Sequence, residues 1–327
     1  MLKLEGVSKV YHVGTFGSKE LHAVQDVSFT VEKGQVVSLI GESGSGKSTI
    51  GKMILRLIPI TSGTITFDGV DISTIKGGRL KDYYRQVQGV FQDPFSSYNP
   101  IFKADRIFQI LREEFFPGVK QAEWDGRLHQ SLKAVGLSPK QVLNKYPHQL
   151  SGGQLQRLLI ARALLLDIKL LIADEIISML DASTRIDVLN LLADLTKQGL
   201  SILFITHDLS LGYYISEKSV ILYRGRVVEM GSTEKIYKNP LHPYTRMLMA
   251  SVPRLDKKWE TVEAELEGVP SDVSSGCVYH DRCPSAGEGC EQAPPRLVEI
   301  EPDHFAACCQ VAIETASLAA PEVAQLG

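Results

Sequence analysis

The sequence predicts an α/β protein on a parallel core sheet, with an N-terminal antiparallel β subdomain, a helical insert and a C-terminal cysteine-rich extension. Three observations lead there. Gly41 to Thr49 reads GESGSGKST, the G-x-x-x-x-G-K-[ST] phosphate loop, between an apolar β-branched run (Gln35 to Ile40) and a helical pattern. Leu170 to Ala173 (LLIA) and Ser201 to Thr206 (SILFIT) are continuous apolar runs of the kind buried in parallel sheets. These runs end in Asp174-Glu175 and His207-Asp208, at the carboxyl edge where open α/β sheets bind ligands.

Taken in order, Leu2 to Val7 and Leu21 to Val31 read as strands closed by a Glu32-Lys33-Gly34 turn, with Tyr11 in the loop between them. Tyr11 by itself reads more readily as a packing residue than as a ligand contact. In the phosphate loop, Gly41, Gly44 and Gly46 let the backbone curl so that successive N–H groups face an anion at a helix start. Ser43, Ser45 and Thr49 complete the loop, Lys47 would reach the β- and γ-phosphates, and Ser48 a magnesium ion. A Gly/Ser turn that binds nothing is the bland alternative, but it does not account for a lysine and two hydroxyls at this offset. Ile50, Met53, Ile54 and Leu57 then mark a helix that lasts until Pro59.

Ser62 to Val70 continues the antiparallel sheet as a hairpin, and Val87 to Gln92 reads as a core strand followed by the loop DPFSSYNP. Residues 101 to 149 are helical in pattern, broken at Pro117-Gly118, Ser138-Pro139 and Pro147. LSGGQLQR (Leu150 to Arg157) opens a long helix with Ser151 as N-cap, and Gly152-Gly153 leave its start bare enough for a phosphate. Alone, that start is explained equally well by a plain cap. Asp174 and Glu175 are placed to supply a magnesium ligand and a base. Asp181 begins a helix with apolar positions at Ile186, Leu189, Leu192 and Leu195, closed by Gly199. His207 ends a further core strand, where it suggests a phosphate contact, and the other seven histidines receive no assignment. Val220 to Met230 is a hairpin about Arg224-Gly225.

With 327 residues, 44% hydrophobic and 22% charged, the chain has room for two or three domains. A net charge of −3 gives no electrostatic reason to expect nucleic acid as a partner. The richest apolar stretch, Leu155 to Leu180, is broken by Arg157, Arg162, Asp167, Lys169, Asp174 and Glu175, so it lacks the ~20 uncharged residues that a membrane span requires. The N-terminus shows no signal-peptide apolar region, which leads to the expectation of a cytoplasmic protein. All five cysteines lie late, at 277, 283, 290, 308 and 309, and a reducing compartment turns attention from disulfides to metal.

The phosphate loop, Gln92 after a strand, LSGGQ, the apolar run with Asp174-Glu175, Asp181 and His207 occur in one order, and together they resemble the ATPase subunit of an ABC transporter over residues 1 to about 235. NPLHPYTRMLMASVP (239 to 253), followed by GCVYHDRCPSAGEGCEQAPP, is similar to the ATPases of oligopeptide and dipeptide permeases, including relatives that import oligosaccharides or nickel. The resemblance implies an ATPase domain at 1–235 with a helical subdomain about 95–160. It also implies an extension at 236–327, with a metal-cluster motif at 277–309 and a flexible tail at 312–327. Tyr11 would stack on adenine, Lys47 and Ser48 bind phosphates and magnesium, and Gln92 and Asp174 serve the magnesium and γ-phosphate site. Glu175 would be the general base and His207 would hold the γ-phosphate. Ser151, Gly152, Gly153, Gln154 and Asp181 would act across a head-to-tail ATPase dimer. Where the family usually has proline and a small hydroxyl residue after the base, this chain has Ile176-Ile177, and Met179 precedes Leu180-Asp181.

The cysteine spacing is C-x5-C-x6-C-x17-C with Cys308 as fourth ligand, or Cys309 in its place. Four thiolates suit a [4Fe–4S] cluster or zinc; the missing C-x₂₋₄-C knuckles and the resemblance favour the cluster on Cys277, Cys283, Cys290 and Cys308. The expected partners are two membrane permeases, a second ABC ATPase in a heterodimer (with a homodimer as the alternative) and an extracytoplasmic solute-binding protein. The chain would sit peripherally on the cytoplasmic face of the membrane. The competing readings are a soluble ABC ATPase acting on nucleic acid or ribosomes and an iron–sulfur redox switch.

Overall fold

The structure, a computed structural model, describes residues 1–13, 19–251 and 276–311. The expected tail 312–327 and Val252-Pro253 of the permease-type motif lie outside them. The strands are β1 (Leu2–Val13), β2 (Lys19–Val31), β3 (Val36–Ile40), β4 (Ser62–Phe67), β5 (Val70–Asp71), β6 (Val87–Val90), β7 (Leu170–Asp174), β8 (Ser201–Thr206), β9 (Lys218–Tyr223), β10 (Arg226–Ser232), β11 (Val298–Glu301) and β12 (His304–Ala306). The α-helices are α1 (Lys47–Ile54), α2 (Gly78–Gln86), α3 (Arg106–Phe115), α4 (Gln121–Ala134), α5 (Pro139–Val142), α6 (Gly152–Leu164), α7 (Ala182–Lys197), α8 (Leu209–Ile215), α9 (Thr233–Lys238) and α10 (Pro243–Ala250).

Among the described residues the strands form two sheets, an antiparallel one in the order β2-β1-β4-β5 and a larger one in the order β11-β12-β10-β9-β3-β8-β7-β6. The run β9-β3-β8-β7-β6 of the larger sheet is parallel. Successive side chains of a strand point to opposite faces. In β8, Ile202 and Phe204 join the core shared with the helical insert, α6 and α7, while Leu203 and Ile205 join the core shared with α1 and the antiparallel sheet. Both faces are therefore dry, which is why SILFIT shows no polar alternation.

Several local expectations are corrected. Tyr11 lies within β1, paired with Leu21 of β2, rather than in a loop, because the strand runs on to Val13. The strand expected over Val87 to Gln92 ends at Val90 and sits at the rim of the sheet. The helix after the phosphate loop stops at Ile54, where Leu55 caps it, and Leu57 is exposed. Ile186 is also exposed, and α7 instead buries Val188, Leu189, Leu192 and Leu195. Leu57 lies past the helix end, where Arg56 takes a left-handed backbone (φ 55°), whereas Ile186 lies within α7 on its uncovered face. The strands of the C-terminal segment join the main sheet, since β12 pairs antiparallel with β10, Glu229 opposite Ala306 and Gly231 opposite His304.

Candidate functional site

The register of the parallel strands sets the site. Ile40 aligns with Thr206, and Asp174 with Ile205, so the phosphate loop, the Asp174-Glu175 pair and His207 all leave the sheet at one edge. The loop turns sharply into α1, with Gly46 as N-cap in the left-handed region, φ 102°, a conformation that glycine adopts without steric cost. A Cβ at Gly46 would collide with the carbonyl oxygen of Ala23 in β2, and one at Gly41 with that of Leu222 in β9. The loop is thus pressed between two strands. Ser43, Gly44 and Ser48 are exposed, Gly46 and Thr49 partly so, and Ser45 is buried with its carbonyl bonded to the Gly225 N–H at 2.9 Å.

Lys47 is buried, and its ammonium donates to the carbonyls of Gly41 (2.7 Å) and Glu42 (2.8 Å). Burial lowers its pKa, opposed by the charges of Glu175, Asp174 and Glu42. Ser48 Oγ donates to Asp174 Oδ1 at 3.2 Å, which makes these two side chains the pair that could hold a divalent cation. Burial raises the Asp174 pKa against the Ser48 hydrogen bond, and the neighbouring Glu175 charge adds to the rise. Glu175 adopts a left-handed backbone, φ 50°, uncommon outside glycine, and such strain gathers at functional sites. Its N–H donates to the Ile205 carbonyl at 2.9 Å, and its Oε1 lies 3.2 Å from His207 Nδ1. The carboxylate is 18% exposed and the imidazole 57%, so the pair opens outward from the sheet edge. An ammonium, a hydroxyl, two carboxylates and an imidazole meet here, a set suited to a phosphorylated ligand with its cation.

The remaining expected residues are distributed around this centre. Gln92 is exposed, two residues beyond β6. Tyr11 is partly buried, with the Lys9 ammonium 5.0 Å from its ring centroid; its partner Leu21 lies two residues before Ala23, which abuts the loop. Ser151 caps α6 by accepting from the Gln154 N–H (3.2 Å), while Gln154 Oε1 accepts from the Ser151 N–H (2.9 Å), a capping box. Gly152 and Gly153 are partly buried, and a Cβ on Gly153 would stand 2.6 Å from Thr184 Cγ2. Asp181 caps α7, accepting from the Thr184 N–H (3.0 Å), Ser183 Oγ (2.6 Å) and Thr184 Oγ1 (2.8 Å), and these bonds pull its pKa down. The starts of α6 and α7 therefore lie side by side, with Ser151 and Asp181 exposed and Gly152 to Gln154 half-buried. Ile176 and Ile177, at the departure from the family pattern, are buried in the core beneath it.

The five cysteines gather in one region. The Cys277 N–H donates to the Cys290 carbonyl at 2.7 Å. Burial pushes the Cys277 thiol up to about 11, and the thiols of Cys290, Cys308 and Cys283 press the same way. Burial also raises Cys283 and Cys309. Among the described residues, no three or more His, Cys, Asp or Glu side chains stand in a geometry that could hold a metal ion. The expected cluster motif is thus present as a set of donors without their coordination geometry. Beside it lies a buried assembly missed in the sequence: His304 Nε2 is 2.8 Å from Glu229 Oε1, and both side chains are fully buried. The contact of Glu42, inside the phosphate loop, with Arg282 and Tyr244 was missed likewise. The DRCP stretch sits too far along the chain from the loop for spacing to relate them.

Residues 24–178 match the family model described as ABC transporter, and residues 228–290 that described as oligopeptide/dipeptide transporter, C-terminal region. The chain is 42% identical over 314 residues to a putative peptide import ATP-binding protein of Brucella ovis, covering 94% of this chain and 97% of that protein. It is 40% identical over 322 residues to an oligopeptide transport ATP-binding protein of Bacillus subtilis, covering 94% and 96%. Among solved structures, a dimeric ATP-binding cassette in a post-hydrolysis state with ADP and Pi matches with a TM-score of 0.64 at 29% identity, over 71% of this chain and 99% of that one.

Proposed function

The chain belongs to the ABC transporter ATPases with an oligopeptide/dipeptide-type C-terminal region, and from that premise we propose that it is the ATP-hydrolysing subunit that powers a peptide importer. The single observation that carries this is the convergence of Lys47, Ser48, Asp174, Glu175 and His207 at one sheet edge, in a chain whose relatives are named for peptide import. The relatives described above are not named for oligosaccharides or nickel, and nothing found favours an ATPase acting on nucleic acid.

In this reading the loop N–H groups and Lys47 bind the β- and γ-phosphates, and Tyr11 stacks on adenine. Magnesium, held by Ser48 and Asp174 with Gln92 completing the site, would neutralise charge on the phosphates. Glu175 accepts the proton of the attacking water, and His207, hydrogen-bonded to it, contacts the γ-phosphate. The start of α6 (exposed Ser151 and half-buried Gly152 to Gln154) and exposed Asp181 face a second ATPase and complete its site. With Ile176-Ile177 beneath that face, a heterodimer with one weaker site is the expected state. Among the described residues, no helix is long and apolar enough to cross a membrane. We place the chain on the cytoplasmic face, bound to two permease subunits that work with an extracytoplasmic solute-binding protein. The exposed Phe95, Ile101 and Phe102 of the loop after Gln92 offer the permease an apolar seat. Capture of the tagged full chain from solubilised membranes should bring down two polytopic permeases and a second ATPase; recovery of ribosomal or other soluble partners alone would refute the assignment.

For the extension we propose a [4Fe–4S] cluster on Cys277, Cys283, Cys290 and Cys308, with Cys309 the alternative to Cys308; the reading rests on the all-sulfur donor set, which the described residues do not hold in a metal-binding geometry. Anaerobically purified chain should carry iron and acid-labile sulfide with visible absorbance that Cys283→Ser abolishes. Equimolar colourless zinc would overturn it.

A further inference from the structure

The segment that carries the cysteines touches the phosphate loop directly. Arg282, next to Cys283, donates from both terminal nitrogens to the Glu42 carboxylate, Nη1 to Oε2 at 3.0 Å and Nη2 to Oε1 at 3.3 Å. Glu42 is the second residue of the loop. Its N–H donates to the hydroxyl of Tyr244 at 2.9 Å, and its carbonyl accepts from the Lys47 ammonium at 2.8 Å. Tyr244 is fully buried, with its ring 4.5 Å from that of Tyr223 and 5.4 Å from that of Tyr279, which lies in the cysteine segment. A second bridge runs through the β9–β10 turn. Arg224 pairs with Asp281 at 3.6 Å, and the adjacent Gly225 N–H bonds the Ser45 carbonyl at 2.9 Å. The residue that positions the Lys47 ammonium is therefore gripped by side chains from more than two hundred positions downstream.

We propose that Arg282 and Tyr244 are positioning residues for nucleotide binding, holding Glu42 so that the loop and Lys47 are set before ATP arrives. This rests on the phosphate loop being a nucleotide site. A two-pronged Arg–carboxylate pair has a defined geometry that a lysine or a hydrated carboxylate does not reproduce. With 19% and 36% of the two side chains exposed, the pair is only partly screened by water. Loss of it leaves the loop to be ordered by the nucleotide itself, a cost paid in affinity rather than in chemistry. The cysteine segment thereby becomes part of the ATP site, and whatever loosens its seat also loosens the loop.

The test is binding of a fluorescent ATP analogue with magnesium to the full chain, together with the ATPase rate of the assembled importer. Arg282→Gln and Glu42→Gln should each weaken binding by about three- to tenfold, the range of a partly exposed bidentate pair. The double variant should be no weaker than either single, because both remove one interaction. Arg282→Lys should recover part of the loss. In the importer, KM for ATP should rise while kcat stays within about twofold, since chemistry at Glu175 is untouched. Single variants that bind like wild type, effects that add in the double variant, or a kcat loss at unchanged KM would each overturn the proposal. A wild-type chain that fails to bind the analogue would instead refute the nucleotide reading.

Discussion

Replacing His304 with alanine should destabilise the full chain by about 3 kcal/mol, and more at acid than at alkaline pH. His304 stands between two carboxylates, Glu229 Oε1 at 2.8 Å from Nε2 and Glu301 Oε1 at 2.9 Å from Nδ1. Both nitrogens can donate only when the ring is protonated. Burial pulls its pKa down, but the hydrogen bonds and charges of Glu229 and Glu301 outweigh it, so the folded value lies above the ordinary one. Removing one partner of a buried pair costs about 3–5 kcal/mol, because the other charge is left behind. Here the low end applies, since Glu229 keeps the N–H groups of Leu241 (2.9 Å) and His242 (2.8 Å). For a chain of 327 residues that is a fall in Tm of roughly 4–5 °C. A raised folded pKa means the contribution is fully present below the unfolded value of about 6.5 and fades as pH rises through the folded value. Thermal melts of wild type and variant across that range should therefore converge as pH rises. A difference under about 1 kcal/mol, or a gap that widens with pH, would refute the charged-clamp assignment.

Glu175→Gln should retain ATP and lower phosphate release by about 10²–10⁴, as expected when a positioned base is removed; near-normal turnover in the assembled importer would exclude Glu175 as the base. Gly153→Ala should slow hydrolysis in the importer while leaving ATP binding to the isolated chain unchanged, because the new Cβ, 2.6 Å from Thr184 Cγ2, pushes apart the starts of α6 and α7. Equal loss in both assays would place Gly153 in the chain's own pocket. Gly46→Ala combines a φ of 102° with a collision against the Ala23 carbonyl, so it should abolish analogue binding. Retained affinity would show that the loop can shift.

Short-range chemistry made much of the site legible. The phosphate loop, the Ser151 cap, the apolar runs before Asp174 and His207, and the Asp181 helix start are each written within a few neighbouring residues, and the structure places all of them as elements of the kind expected. Errors arose where local patterns meet tertiary cover. Leu57 and Ile186 continue a helical spacing but are exposed, Leu57 because the helix has ended before it and Ile186 because its face of α7 is uncovered. Tyr11 lies beyond the strand read over Leu2 to Val7, yet pairing with β2 extends the strand past it. The Glu229–His304 and Glu42–Arg282 pairs escaped notice for a different reason. Each is a single charged residue whose partner is fixed only by how β10, β12 and the cysteine segment fold together, and no periodicity encodes that. Their signal was a histidine without assignment and an acid inside an otherwise Gly/Ser loop.

The pairing of β12 with β10 also bears on solubility. Were the chain cut before β11, the sheet would end at β10, whose Val228 carbonyl now accepts the Ala307 N–H and whose Ser232 N–H reaches the Asp303 carbonyl. Open backbone groups beside apolar Val227 and Val228 are a template for edge-to-edge association. Among the described residues the sheet instead ends on β11, a short strand carrying exposed Glu299 and Glu301, and on the four-residue β6 at the opposite rim. Charge at one border and brevity at the other keep the fold from recruiting a neighbour. Excising the C-terminal segment would thus trade a docked strand for a sticky one, and fragments ending near residue 297 should accumulate as aggregates rather than as smaller working ATPases.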